Sequence, residues 1–420
     1  MIFRARFVVP VDGPPVENGE LVVEDGRIAA VGRHGQATPA RQAADVSDFG
    51  DAVILPGLVN AHTHLELSDL AGRVPPTADF TTWLKSLFAI LSNSTRDESV
   101  ITSAVRTGVR QSISAGVTTL GDITRYPAWS RSVLAAAPLR VVSFGEVAAI
   151  GRRRHLLAER LNAACAKPPS SQGPLRIGVS PHAPYTVEPA ALHECLRAAK
   201  GANLPVCMHV AEVADEEAFT RQLSGPLAEY LRELGLWDVE IQAHGCRPVD
   251  MLDHYPFPSN RTLLAHVNHA SDADIATLAR HGASVAYCPR THAAFGHPPH
   301  RFREMRAAGV NVCLGTDSLA SNPSLSILDE LRFLHAKFPD LPGSTLLEMA
   351  TMNGAQAMGL IAISGTLTVG KSADFVVVPL QNAGPHSQWM DIFQSDVEPH
   401  CSFFEGVERR TNTAGSDLGL

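Results

Sequence analysis

The chain reads GLVNAHTH over residues 57–64, a short apolar run that ends in two histidines. Comparable apolar runs recur along the chain, and each is followed by a stretch with helical periodicity. Strand and helix alternating eight times predicts a (β/α)8 TIM barrel, an α/β fold. The alternative is an open doubly wound sheet, but nothing in residues 58–62 resembles the glycine-rich phosphate turn that normally follows its first strand. The predicted strands are 57–64, 116–123, 139–147, 175–182, 205–211, 262–267, 283–288 and 310–317.

The two ends of the chain carry β-branched runs outside this pattern. They lie at 7–11, 20–24 and 27–31 near one terminus and at 373–378 near the other. Neither set is large enough to bury a core by itself. We therefore expect a small composite β-sandwich domain built from residues 1–55 and 362–410. The barrel then spans residues 56–361, and residues 411–420 are expected to form a flexible tail.

Composition excludes several functional classes. The chain has 420 residues, of which 45% are hydrophobic, and its net charge is −8. The acidity is spread without a basic block, which argues against nucleic-acid partners and anionic membrane surfaces. No apolar run is long enough to span a membrane. The seven cysteines have no CxxC spacing, which indicates reduced thiols and a cytoplasmic protein. A homodimer is compatible with these patterns.

Polar side chains stand at the ends of several predicted strands. His62 and His64 end the first strand, and because residues i and i+2 of a strand face the same way, both imidazoles point to one spot. The fifth strand ends in His209, the sixth in His266 and the eighth in Asp317. Active sites of such barrels lie at the C-terminal ends of the strands. Imidazoles and a carboxylate at that place predict one divalent metal ion, zinc first and ferrous iron as the alternative.

Four motifs carry a resemblance to a known family. They are LPGLVNAHTH at 55–64, HVAE at 209–212, LAH at 264–266 and LGTDS at 314–318. As a set they resemble the amidohydrolase superfamily, in its mononuclear deaminase and chlorohydrolase branch, over residues 1 to about 380. The resemblance implies that the metal ligands are His62, His64, His209 and Asp317. It also implies catalytic roles for three residues: an acid/base role for Glu212, a water-orienting role for His266 and a proton-accepting role for Asp317.

The resemblance also implies an activity. Residues 62–68 and 80–84 are similar to the aminodeoxyfutalosine deaminases of the alternative menaquinone biosynthesis pathway, and residues 180–186 are similar to methylthioadenosine and S-adenosylhomocysteine deaminases. The implied enzyme is a deaminase that acts on a cyclic amidine C–N bond of a small-molecule 6-aminopurine nucleoside and releases ammonia. The alternatives are a methylthioadenosine/S-adenosylhomocysteine deaminase, a guanine deaminase or triazine chlorohydrolase, and a non-catalytic metal-binding scaffold.

The same resemblance suggests residues that contact the substrate. These are Glu66 and Trp83 in the first two segments and His182, which faces the nucleoside in related deaminases. His292 is added because residues 290–292 read RTH where the family usually carries Ser-Asn, in a loop that borders the site.

Three further sequence features can each be interpreted in two ways. None of the lysines at 85, 167, 200, 337 and 371 lies at the end of the fourth strand, so a lysine does not bridge two metals there. Glu146, which ends the third strand, is then either the bridge of a second metal or a buried structural carboxylate. His297 and His300 have metal-like spacing, yet the prolines between them favour a surface loop. The arginine run 152–154 fits a solvated surface better than a carboxylate clamp.

Overall fold

The structure, a computed structural model, describes residues 1–36, 45–168, 174–381 and 383–409. Its strands are β1 (Ile2–Val8), β2 (Val16–Glu24), β3 (Arg27–Arg33), β4 (Val46–Asp48), β5 (Ala52–Pro56), β6 (Leu58–Thr63), β7 (Val117–Thr124), β8 (Arg140–Val147), β9 (Leu175–Pro181), β10 (Val206–Val210), β11 (Thr262–His266), β12 (Ser284–Tyr287), β13 (Asn311–Leu314), β14 (Phe375–Pro379), β15 (Cys401–Phe404) and β16 (Val407–Arg409).

Helices connect the strands and cover one face of the sheet that they form. The α-helices are α1 (Phe80–Asn93), α2 (Glu98–Ser114), α3 (Pro127–Leu134), α4 (Leu157–Cys165), α5 (Pro189–Gly201), α6 (Asp215–Gln222), α7 (Pro226–Glu233), α8 (Met251–His254), α9 (Asp272–His281), α10 (Pro289–Ala294), α11 (Phe302–Ala307), α12 (Ile327–Lys337), α13 (Gly343–Ala350) and α14 (Met352–Ala357). Short 3-10 helices lie at Leu65–Leu70, Gly151–Leu156 and Trp389–Phe393. Within the described ranges, we find no helix with the length and apolar character needed to cross a membrane.

The strands β6 to β13 form one parallel sheet in chain order. A parallel bridge between Thr63 and Asp317 joins its two ends, and the Asp317 amide donates to the His62 carbonyl at 3.0 Å. The sheet is thereby closed into a barrel, and the predicted (β/α)8 fold is confirmed. Closure also brings the end of the last strand beside the histidines of the first.

The barrel has two apolar layers that follow the alternation of its strands. Phe144, Cys207 and Cys313 pack in one buried cluster inside the barrel. Val141 on β8 and Met208 on β10 have the opposite parity along their strands, face outward and pack in the cluster shared with the surrounding helices. Since successive residues of a strand face opposite sides, this alternation determines which residues at the strand ends point into the mouth of the barrel.

A second sheet contains strands from both ends of the chain, in the order β16-β15-β14-β5-β1-β2-β3 with β4 paired to β1. Its core includes Phe3 from the first strand and Phe375 and Phe403 from the last ones, with ring centroids 4.2–4.9 Å apart. The expected joining of the two termini in one β unit is therefore observed. The domain boundaries given above stay predictions, and the tail at 411–420 lies outside the described residues.

Candidate active site

Three histidines meet at the C-terminal ends of β6 and β10. His62, His64 and His209 are buried, and one ring nitrogen from each lies within 4.8 Å of the others. The Nε2 atoms of His64 and His209 are 3.2 Å apart. Burial lowers the pKa of all three imidazoles, that of His64 to about 3, so they are neutral and able to donate lone pairs. Both ring nitrogens of His62 lack a hydrogen-bond partner among the described residues, which fits a metal ligand.

Asp317 completes this group from the far side of the barrel seam. Its Oδ1 lies 3.7 Å from His64 Nε2 and 3.8 Å from His62 Nε2. Its Oδ2 accepts a hydrogen bond from Ser321 Oγ at 2.7 Å. Burial raises the pKa of Asp317 to about 6. Three neutral imidazoles and one carboxylate are a donor set that suits a divalent transition-metal ion.

A main-chain contact orients one of these imidazoles. His209 Nδ1 lies 2.8 Å from the carbonyl oxygen of His182, so the N–H at Nδ1 donates to it and Nε2 faces His64. Metal-binding histidines usually donate their second ring nitrogen in this way. The arrangement of His209 therefore supports the predicted metal centre.

Regular alternation alone would not bring His62 to the centre. Val59 and Ala61 pack inside the barrel, so an undistorted strand would turn His62 outward. The register between β6 and β7 shifts between Asn60 and Thr63. Because of this irregularity, the His62 ring lies 4.9 Å from that of His209.

Glu212 and His266 lie next to the histidine group. The His266 Nε2 atom is 3.5 Å from Glu212 Oε1, and both side chains are buried. Burial raises the pKa of Glu212 well above its ordinary value and lowers that of His266 well below it. The raised pKa favours the protonated form of Glu212, which can act as a proton donor.

The turn after β10 holds Glu212 in place. Glu216 at the start of α6 accepts hydrogen bonds from the amides of Ala211 at 2.8 Å, Glu212 at 2.7 Å and Val213 at 3.3 Å. Ala211 has a left-handed backbone with φ of 51°. A single buried carboxylate therefore fixes the segment that carries Glu212, the residue predicted to act as acid and base.

Glu146 is engaged by an arginine. Arg125 Nε donates to Glu146 Oε1 at 2.6 Å, and Glu146 Oε2 is 3.9 Å from His182 Nε2. Burial would raise the pKa of Glu146, but the Arg125 guanidinium together with His182 and His64 lowers it below its ordinary value. In the described part of the chain, the metal-competent histidine group does not include Glu146. The geometry favours the interpretation of Glu146 as a buried structural carboxylate.

A cavity of about 830 Å³ opens above these groups. Of the suggested substrate contacts, Glu66, Trp83 and His182 line it together with Glu212, His266 and Asp317. Glu66 Oε2 accepts hydrogen bonds from Thr124 Oγ1 at 2.6 Å and from the Arg125 amide at 3.0 Å. The volume lies in the upper part of the range of about 300–1,000 Å³ that is usual for small-molecule sites.

The structure does not bring His292 to this cavity. Its side chain is buried in α10, and Nε2 donates to the Pro298 carbonyl at 2.9 Å. Burial lowers the pKa of His292 to about 4. It is absent from the described residues that line the cavity, so its contact with substrate stays a prediction without geometric support.

Comparison with known proteins identifies the family. A profile of the amidohydrolase family matches residues 53–407. The chain belongs to the amidohydrolase family. A 5-methylthioadenosine/S-adenosylhomocysteine deaminase from Moorella thermoacetica is 29% identical over 396 residues, which cover 92% of this chain and 86% of the relative. The resemblance seen in the sequence motifs is thereby confirmed.

Two solved structures share the fold of this amidohydrolase. Helicobacter pylori aminofutalosine deaminase in complex with methylthio-coformycin has a TM-score of 0.84 at 23% identity, covering 97% of this chain and 100% of that one. Atrazine chlorohydrolase from Arthrobacter aurescens, complexed with zinc, has a TM-score of 0.80 at 19% identity, covering 97% and 94%.

Two arginines that the sequence motifs did not indicate line the site of this amidohydrolase. They are Arg153 and Arg160. Arg154 pairs with Glu188 at 2.9 Å and with Asp238 at 2.9 Å. The expectation of a solvated run at 152–154 therefore does not hold for Arg153, which lines the cavity, whereas Arg154 is partly exposed and is paired with carboxylates of the protein. The available signal was their position shortly after the end of β8, where loop residues of a barrel reach the active-site face.

Proposed function

We propose that this amidohydrolase is a hydrolytic deaminase of 6-aminopurine nucleosides that carry a 5′ substituent, with aminodeoxyfutalosine as the first candidate. The observation that carries the proposal is that Glu212, His266 and Asp317 face one cavity beside the three histidines. The printed names of the relatives support the substrate class, since they include 5-methylthioadenosine/S-adenosylhomocysteine deaminase and aminofutalosine deaminase.

We expect His62, His64, His209 and Asp317 to hold one zinc ion, with ferrous iron as the alternative. When bound, such an ion acts as a Lewis acid and lowers the pKa of a coordinated water molecule. The neutral imidazoles and the orphaned nitrogens of His62 fit this role. Zinc in the chlorohydrolase structure is consistent with the choice of metal.

The protein groups then move the protons of the reaction. Asp317 accepts a proton from the attacking water, and Glu212 protonates the ring nitrogen next to the amino-bearing carbon, so that negative charge does not build up on the purine. His266 orients the attacking oxygen. Asp317 passes its proton to the departing amine, and the proton of the new hydroxyl group returns to Glu212. Ammonia leaves and both carboxyl groups regain their starting states.

Two cationic side chains suggest the chemistry of the 5′ substituent. Among the arginines of the cavity, Arg125 pairs with Glu146 and Arg96 pairs with Asp69 at 2.7 Å. Arg153 and Arg160 have no carboxylate partner among the described residues. A 5′ arm that ends in a carboxylate would supply one. Aminodeoxyfutalosine and S-adenosylhomocysteine carry such a group, whereas methylthioadenosine does not.

An ammonia-release assay over a panel of substrates tests the proposal. The panel contains aminodeoxyfutalosine, S-adenosylhomocysteine, methylthioadenosine, adenosine, guanine and atrazine. We expect adenosine to have a kcat/KM at least about tenfold below that of aminodeoxyfutalosine, which is about 1.4 kcal/mol of transition-state stabilisation from the 5′ arm. Preference for guanine or atrazine would contradict the nucleoside assignment.

A matched pair of variants tests the carboxylate preference. Arg153→Met should reduce the ratio of kcat/KM for S-adenosylhomocysteine to that for methylthioadenosine by about tenfold. Arg152→Met is the control, since Arg152 is the exposed neighbour on the same 3-10 helix. An unchanged ratio in Arg153→Met would remove Arg153 from substrate recognition.

A further inference from the structure

Tyr185 lies in the loop that follows β9, and no role has yet been given to it. The residue is 2% exposed, and it lines the same cavity as His182 and Glu212. Its ring centroid is 6.1 Å from that of His182, and the two ring planes meet at 82°. The loop after β9 therefore brings two polar side chains to the cavity, a histidine and a phenol.

The hydroxyl group of Tyr185 has no hydrogen-bond partner among the residues that the structure describes. Other polar groups of the same loop are paired with one another. Thr186 Oγ1 lies 2.7 Å from His182 Nδ1 and accepts a hydrogen bond from the Ala183 amide at 3.2 Å. A buried tyrosine hydroxyl usually finds a partner. An unpaired hydroxyl on the wall of a cavity therefore indicates that a bound ligand supplies the partner.

The loop and the surrounding apolar side chains hold the Tyr185 ring. The His182 amide donates to the Val147 carbonyl at 3.0 Å, and the Thr186 amide donates to the Ala183 carbonyl at 3.0 Å. The ring belongs to a buried apolar cluster that also contains Phe80, Trp83 and Phe219. A side chain that is already ordered loses little entropy when it binds a ligand.

The carboxyl groups near Tyr185 favour a hydroxyl that acts as a donor. Burial raises the pKa of Tyr185 well above its ordinary value, and Glu212 and Glu216 raise it further. The side chain is therefore a neutral O–H donor and not a phenolate. Because Glu212 acts on the hydroxyl in this way, we place the hydroxyl at the end of the cavity where Glu212 is expected to transfer its proton.

We propose that Tyr185 contacts the substrate and that its hydroxyl donates a hydrogen bond to an acceptor nitrogen of the aminated ring. In the proposed reaction Glu212 protonates one ring nitrogen, and heterocycles of this class carry further nitrogens with lone pairs in the same plane. A second donor on the ring holds the reacting carbon in place during proton transfer. The inference rests on the proposed function only in that an aminated heterocycle binds against Glu212.

Tyr185→Phe tests the contact, because it keeps the ring and removes only the hydroxyl. With the best substrate of the panel, we expect kcat/KM to fall about threefold to tenfold, the usual consequence of losing one neutral hydrogen bond. Bound metal and the midpoint of thermal unfolding should match those of the wild type. An unchanged kcat/KM would overturn the contact, and so would a loss of bound metal, since the hydroxyl would then support the folded site instead.

Tyr287→Phe is the matched control. Tyr287 is 1% exposed and is absent from the described residues that line the cavity, so this change removes a hydroxyl from another buried ring. It should leave kcat/KM unchanged. Equal losses in the two variants would overturn a contact that is specific to Tyr185.

Two nucleosides with different 5′ groups show which part of the substrate is contacted. Tyr185→Phe should lower kcat/KM by the same factor for adenosine and for S-adenosylhomocysteine, because the aminated ring is common to both. A loss confined to S-adenosylhomocysteine would place the hydroxyl against the 5′ arm and overturn the assignment to the ring. Preference of the wild type for guanine or atrazine would contradict the nucleoside assignment alone, since the Tyr185→Phe test then proceeds on that substrate.

Discussion

At the scale of single residues, the site depends on strand ends whose backbone leaves the extended conformation. Ala211, His266 and Asp317 have φ of 51°, 72° and 60°. Such left-handed residues cost about 1–3 kcal/mol each and persist where surrounding contacts hold them. The Ala211 amide donates to Glu216, and the His266 carbonyl accepts from His300. The Asp317 side chain accepts from Ser321.

The role of Glu212 gives the first prediction. Glu212→Gln keeps the shape of the side chain but cannot deliver a proton. Turnover should fall by roughly 10²–10⁴-fold, the usual effect of a general acid or base, while bound metal is retained. Steady-state kinetics and metal analysis check this. Glu217→Gln, an exposed change on α6, is the control and should leave both quantities unchanged. Loss of metal in Glu212→Gln would mean that Glu212 is a ligand.

Glu216 is predicted to be a positioning residue that acts through Glu212. Glu216→Ala removes the acceptor for the amides of residues 211–213, so kcat should fall by at least about tenfold with little change in metal content. Glu216→Gln retains one carbonyl acceptor and should recover part of kcat. Equal losses in the Ala and Gln variants would show that the charge of Glu216, rather than its hydrogen bonds, is what matters.

At the scale of elements, the loops after β12 and β13 are tied to α12 by one buried carboxylate. Glu330 accepts hydrogen bonds from the Arg290 amide at 2.9 Å and from Asn322 Nδ2 at 2.7 Å. Asn322 also donates to the Thr316 carbonyl at 2.8 Å, next to Asp317. Burial raises the pKa of Glu330 to about 8. The loop that presents a candidate metal ligand is thus coupled to the protonation of a helix residue.

This coupling predicts a pH dependence of stability. Because the pKa of Glu330 is higher in the folded protein, the folded state binds more protons between the unfolded and folded pKa values. Stability from this group is therefore complete below its ordinary pKa of 4.5 and is lost as the pH rises to about 8, by at most about 1.4 kcal/mol per pH unit.

Denaturant unfolding from pH 5 to pH 8 measures this dependence. The slope of the unfolding free energy against pH should be less negative, or more positive, in Glu330→Gln than in the wild type, because the substituted side chain does not titrate. Other buried groups titrate equally in both proteins, so the difference between the two slopes isolates Glu330. Identical slopes would show that Glu330 does not change protonation in this range.

At the scale of the whole molecule, an ion pair joins the barrel to the sheet of the two termini. Arg140 at the start of β8 donates from Nε to Asp374 at 2.6 Å and from Nη2 to Ser372 Oγ at 2.6 Å. The side chain of Asp374 is 1% exposed and that of Arg140 is 9% exposed. Removing one member of a buried pair leaves the other charge without compensation.

Arg140→Ala should therefore lower the free energy of unfolding by about 3–5 kcal/mol. The control is Arg303→Ala, since Arg303 and Asp340 form a pair with 39% and 69% exposed side chains, and such a pair contributes about 1 kcal/mol or less. Denaturant unfolding of the two variants checks the contrast. Equal, small losses would mean that the buried pair contributes no more to stability than the exposed pair.

Much of the architecture could be predicted from the sequence. Period-two alternation in β8 and β10 places Phe144 and Cys207 inside the barrel, and the same alternation carries Glu146 and His209 into its mouth. The (β/α)8 barrel, the joining of the termini and the family were all obtained from local patterns and motifs. The catalytic and substrate-contact assignments stay predictions, although the structure brings all of the suggested residues except His292 to one centre.

The sequence by itself determined which polar residues stand at the strand ends, because alternation and strand length are local properties. The tertiary structure decided what depends on contacts between distant segments. A register shift against β7 turns His62 inward, and Arg125 takes Glu146 as its partner. Packing of the segment after β12 directs His292 towards His297 and the Pro298 carbonyl and away from the cavity. These outcomes require the closed barrel, since each depends on a neighbour that the chain supplies from another strand or loop.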